Sequence, residues 1–115
     1  MDFFENWEEF YAKGASVPFY RKSEGGVDFI GFDTRECTPP APMVNALAAL
    51  NLVTDANTRV VMINHMYPAG LIPKIADKFE IERENLEGKE VKLTFTLKTG
   101  ASVSKFDTAV TCDGV

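Results

Sequence analysis

Apolar and polar positions change period several times along the chain, and each change predicts an element. Phe3, Trp7 and Phe10 or Tyr11 recur at three- and four-residue spacing, which predicts an amphipathic helix over residues 3–13. Asp2 can cap its start and Gly14 can stop it. The next stretch, Ala15 to Gly26, holds Pro18 and the pair Gly25-Gly26, and reads as a loop linking an appendage to a main domain. Val27 to Asp33 is an apolar strand bounded by turn residues on both sides. A helix follows over about residues 40–52, with Thr38 as cap, prolines in its first turn, and Met43, Leu47 and Leu50 along one face.

Arg59 to Asn64 contains Val-Val-Met-Ile without alternation, which fits a strand buried more completely than its neighbours, as a central or parallel strand would be. A second helix is predicted over about residues 68–78, with Leu71, Ile75 and Phe79 on one side and Pro73 able to move its start toward Ile72. Then the period becomes two. Glu80, Glu82 and Glu84 alternate with other residues, and Val91, Leu93, Phe95 and Leu97 alternate with polar ones; Leu86-Glu87-Gly88-Lys89 is the turn between two strands. The predicted fold class is α/β, an α+β two-layer sandwich of order βαβαββ: a four-stranded mixed sheet with two helices on one face, plus an extra N-terminal helix. Residues 1–26 form the helix and linker, 27–98 the compact domain, and 99–115 a tail or, over Val103 to Cys112, a fifth short strand.

A chain of 115 residues suits one domain, and 45% hydrophobic with 25% charged residues is ordinary for a globular protein. The formal charge of −5, with no cluster of Lys and Arg, excludes the usual nucleic-acid binder. Apolar runs fall short of the roughly 20 residues of a membrane helix, and Met1 to Glu5 lacks the basic region of a signal peptide. A cytoplasmic protein is expected. The two cysteines, Cys37 and Cys112, are too few for a disulfide framework and lack a Cys-x-x-Cys spacing.

Candidate chemistry gathers where the first strand turns into the first helix. In a right-handed βαβ unit the ends of two parallel strands share one rim, which brings Asp33, Arg35 and Cys37 near His65. The helix start favours an anion or a thiolate there, but prolines at 39, 40 and 42 remove several donors. Asp33 and Arg35, two apart, project the same way and either pin the turn or offer the Arg to an anionic ligand.

The run Phe32-Asp33-Thr34-Arg35-Glu36-Cys37-Thr38-Pro39-Pro40-Ala41-Pro42 resembles the TusA/SirA-like pattern, in which aliphatic-Asp-x-Arg-Gly leads into Cys-Pro-x-Pro and a helix. The order βαβαββ is also that family's order, and the resemblance covers about residues 27–98. Aligned through Asp33, Arg35, Pro40 and Pro42, Pro39 occupies the place of the persulfide-carrying cysteine, and Glu36 that of the glycine. The chain is therefore similar to a sister branch of uncharacterised domains reading Pro-Pro-x-Pro, in which a His followed shortly by Pro comes after the second strand, as in Asn64-His65-Met66-Tyr67-Pro68.

The resemblance implies a TusA-like domain without its sulfur-carrying cysteine: a non-catalytic binding or interaction module in sulfur, redox or metal-related physiology. Asp33, Arg35, Pro39, Pro40, Pro42 and His65 would mark its ligand-binding rim, and no cofactor is expected. Two alternatives stand beside it. One is a sulfur carrier whose thiol has moved to Cys37; the other is a structural oligomerisation domain. Metal ligation by His65 with Cys37 and Asp33 is conceivable at one rim, although metal sites usually take three or more such ligands from a richer set. The dense N-terminal aromatics Phe3, Phe4, Trp7, Phe10 and Tyr11 either pack on the open sheet face, helped by Phe19 and Tyr20, or anchor another protein or a second copy of the chain.

Overall fold

The structure is a computed structural model that describes residues 3–98. Asp2, Cys112 and the strand expected over Val103 to Cys112 lie outside the described residues. The element order is β1 (Glu8–Phe10), β2 (Phe19–Glu24), β3 (Val27–Asp33), α1 (Ala41–Leu50), β4 (Thr58–Asn64), α2 (Ile72–Ile75), β5 (Phe79–Asn85) and β6 (Val91–Leu97). Six strands form one mixed sheet in the order β1-β2-β3-β4-β6-β5, with β3 and β4 parallel and every other pair antiparallel.

This corrects the predicted fold class. The sheet has six strands instead of four, and the described structure has two helices, neither of them N-terminal. The expected helix over residues 3–13 is instead an irregular turn followed by β1. Asn6 takes a left-handed φ of 73°, which an α-helix cannot contain. The aromatic spacing that imitates a helix serves two faces: Phe10 packs edge-on against Phe19, while Phe4 lies against Tyr20 and Trp7 on the other side of the sheet.

The expected linker is also sheet. Phe19–Glu24 pairs with Val27–Asp33 through the two-residue turn Gly25-Gly26, whose φ values of 60° and 81° suit a tight hairpin. Phe19 is fully buried and stacks on Phe32 with centroids 5.1 Å apart. The loop before it is tied to α1 by buried Asn45, whose Oδ1 accepts from Ser16 N at 2.8 Å and whose Nδ2 donates to Ser16 Oγ and the Ala41 carbonyl.

In β4 and β6 pattern and burial agree, whereas the helix ends differ from those expected. Val60, Val61, Met62 and Ile63 of the unalternating β4 are all buried, because β4 lies inside the sheet with both faces covered. β6 alternates buried and half-buried residues. Helix α1 occupies Ala41–Leu50 with Pro40 at its N-cap and no side-chain cap; the Thr38 carbonyl, instead of its hydroxyl, receives the Ala41 N–H. α2 is only Ile72–Ile75, with Pro73 in its first turn, and Phe79 opens β5 instead of extending the helix.

The main core joins one sheet face, through Ile30, Phe32, Val60, Met62, Leu93 and Phe95, to Leu47 and Leu50 of α1 and Ile75 of α2. A smaller cluster of Phe4, Val61 and Ile63, with Phe3, Trp7, Tyr20 and Phe29 against it, covers part of the opposite face. Among the described residues no helix is long and apolar enough to cross a membrane.

Candidate functional site

The parallel pair β3 and β4 brings two strand-to-helix turns to one rim, since Asp33 lies opposite Ile63 in register. A buried polar link holds the turns together. Thr34 N donates to the Ile63 carbonyl at 2.8 Å, and the Thr34 hydroxyl lies 2.9 Å from Asn64 Oδ1. Asn64 Nδ2 in turn donates to the Met66 carbonyl at 2.9 Å, which fixes the backbone on either side of His65. Both Thr34 and Asn64 are buried, so each bond is made in low dielectric and each lost partner leaves an unsatisfied group.

Between the turns lies a cleft of about 370 Å3. Pro39, Pro40, Pro42 and Met43 form one wall; His65, Met66, Tyr67 and Leu71 belong to the other. No lining residue carries a carboxylate, ammonium or guanidinium group. The Pro39-Pro40 peptide is cis. His65 is the polar element beside Asn64, and its Nδ1 is buried with no hydrogen-bond partner among the described residues. Arg83 covers the Tyr67 ring at 4.5 Å. A larger concavity of about 630 Å3 runs along Arg21, Ser23, Asp28 and Thr58, but charged Glu8, Arg21, Lys22 and Asp28 line it and Arg21 is already paired with Glu8. The smaller, apolar cleft is the better ligand site.

The residues expected at one rim divide between two sides of the sheet. Pro39, Pro40, Pro42 and His65 line the cleft. Asp33 and Arg35 do not. Side chains alternate along β3, so Asp33 projects with Phe29 and Gly31 to the face opposite the helices. There the Asp33 carboxylate accepts from Arg35 N at 2.9 Å, Nε at 3.0 Å and Nη2 at 2.7 Å. Arg35 Nη1 also reaches Glu90 at 3.4 Å, and the guanidinium lies 5.1 Å over the Phe3 ring. Hydrogen bonding to Asp33 holds the Arg35 pKa above its usual value against the opposing effect of burial. Two carboxylates on one guanidinium leave little of it for a ligand, so the pair closes the turn.

Cys37 is half-buried and is absent from the cleft wall. Its N–H donates to the Thr34 carbonyl at 3.0 Å. Burial, then the negative charges of Asp33 and Glu36, push its thiol pKa up, which disfavours the nucleophilic thiolate. Among the described residues no three His, Cys, Asp or Glu side chains come together to hold a metal ion, so His65, Cys37 and Asp33 are not a ligand set.

Sequence reasoning did not find the Thr34–Asn64 link or the reach of Glu90 to Arg35. The first had a usable signal, a polar residue at or just after the end of each of two adjacent parallel strands. The second joins residues 55 apart and had none. No protein-family model, curated protein or solved structure matches the chain.

Proposed function

We propose that this chain is a TusA-like binding module without a sulfur-carrying cysteine, which takes a neutral, mainly apolar ligand into the rim cleft and serves sulfur, redox or metal-related physiology in the cytoplasm. One observation carries the reading: two strand-to-helix turns enclose an uncharged cleft whose volume falls in the roughly 300–1,000 Å3 range of small-molecule sites. Pro39, aligned with the family's cysteine, forms part of its wall. The prolines also explain why an anion is a poor occupant. Pro40 and Pro42 have no N–H, and the Ala41 N–H is spent on the Thr38 carbonyl, so the α1 start offers few donors.

Titration of the isotopically labelled chain with cyclohexanol should give saturable amide shifts at Met43, His65, Met66 and Leu71, and acetate should give none. Met66 is 48% exposed, so Met66→Glu introduces a charge at the cleft without disturbing the core and should weaken cyclohexanol at least roughly tenfold. Equal responses to both probes, or no saturation, would remove the cleft reading. The sulfur-carrier alternative is tested separately. Incubation with a persulfide donor should leave the mass of the Cys37 peptide unchanged; an added sulfur atom, lost in Cys37→Ser, would overturn the non-catalytic assignment.

A further inference from the structure

The face opposite the helices carries a second pocket, of about 160 Å3, independent of the rim cleft. Phe3, Phe4, Trp7 and Phe29 form its aromatic wall, with Val61 beneath. Trp7 meets Phe4 edge-on at 4.9 Å and Phe29 at 6.3 Å, so the wall is an interlocked set of rings. Its polar members are Lys22, Lys92 and Thr94.

These cations are unequal. Lys22 Nζ lies over Trp7 at 5.0 Å and over Phe29 at 5.5 Å, and donates to Glu24 at 3.0 Å. The Lys92 ammonium has no ion pair or hydrogen bond among the described residues. Lys92 and Thr94 are two apart on β6, opposite Ile63 and Val61, so both side chains stand on the pocket's face of the sheet. On that face, in register with Phe29 and Thr96, Arg59 has its Nε buried with no hydrogen-bond partner among the described residues. Glu82 and Glu84 stand across β6 on the far side of Thr94 and Lys92.

We propose that this pocket binds a single-ring aromatic carboxylate, with the ring against the aromatic wall and Val61 and the carboxylate on the Lys92 ammonium and Thr94 hydroxyl. Size sets the first limit, because 160 Å3 is well below the roughly 300 Å3 at which drug-sized sites begin. Charge sets the second. A purely apolar ligand leaves Lys92 unused, while an inorganic anion leaves the rings unused. Glu82 and Glu84 repel multiply charged anions more than a single carboxylate. Arg59 adds positive potential beside Phe29.

Trp7 is the sole tryptophan, so its indole N–H gives one resonance that reports on this pocket. Titrating the full chain with benzoate should shift that resonance and the Lys92 and Thr94 amides saturably. Benzamide, neutral and of the same shape, should bind at least tenfold more weakly. Lys92→Gln should weaken benzoate about tenfold, the scale of one charge-assisted hydrogen bond, and leave benzamide unchanged. Thr94→Val, nearly isosteric, is the second variant and should also weaken benzoate. Absent saturation, equal binding of benzamide, or an unaltered affinity in both variants would overturn the proposal. So would benzoate shifts confined to His65 and Met66, which would place the anion in the rim cleft.

Discussion

A Cβ built on Gly31 would overlap the Phe4 ring, closer than real contacts of that kind come. The glycine is there for space, since its φ is not in the left-handed region and any side chain would suit its backbone. Phe4 is 95% buried above it, against Tyr20 at 5.3 Å in a stacked arrangement. Gly31→Ala should therefore destabilise the fold by about 1–3 kcal/mol through overpacking. Urea denaturation measures this directly. In the double variant with Phe4→Leu the two costs should be less than additive, because the smaller side chain yields the room that the methyl needs. Additive losses would mean that the N-terminal segment does not rest on Gly31. Nothing in the local sequence marks Gly31 for this role; only the partner 27 positions earlier explains it.

Among the elements, β2 carries the largest revision. Phe19-Tyr20-Arg21-Lys22-Ser23-Glu24 has one fully buried residue and three charges, because it lies next to the edge, with only the three residues of β1 beyond it. Its alternation is thus faint, and the Gly25-Gly26 pair that closes a hairpin looks equally like a linker. Phe19 distinguishes the two. It is fully buried against Phe32, so Phe19→Ala should cost about 3–5 kcal/mol in chemical denaturation, whereas a linker residue would cost almost nothing. β5 shows the opposite case. Its Glu80, Glu82 and Glu84 were legible as strand alternation because β6 supplies a clear partner pattern at hairpin distance.

For the whole molecule, the sheet ends in strands that resist further pairing. β1 is three residues long, and β5 is an edge with three exposed glutamates, both recognised ways of blunting an unpaired edge. Replacing Glu80, Glu82 and Glu84 together by Thr should promote association, visible as a rise in sedimentation coefficient with concentration. An unchanged monomer-like boundary would show that the charges are not what protects the edge. The two candidate pockets lie on opposite sides of this sheet, and Asp33, which projects away from the helices and holds Arg35 there, does not share a site with Pro39 to Pro42 and His65. By itself the sequence determined the order of the six elements from β3 to β6, from the periods of β4 and β6 and the prolines that open the helices, although the helix expected over about 68–78 is only Ile72–Ile75. It also indicated that the ends of the two parallel strands share one rim, but of the residues expected there Asp33, Arg35 and Cys37 are absent from the cleft that His65 lines. Only the tertiary structure decided that residues 3–24 are turn and sheet, and that the rim chemistry is divided between two faces. The reason is physical: aromatic spacing at three and four residues is compatible with a helix or with rings sent to both sides of a sheet, and the choice rests on partners such as Gly31 and Phe32 that lie far along the chain.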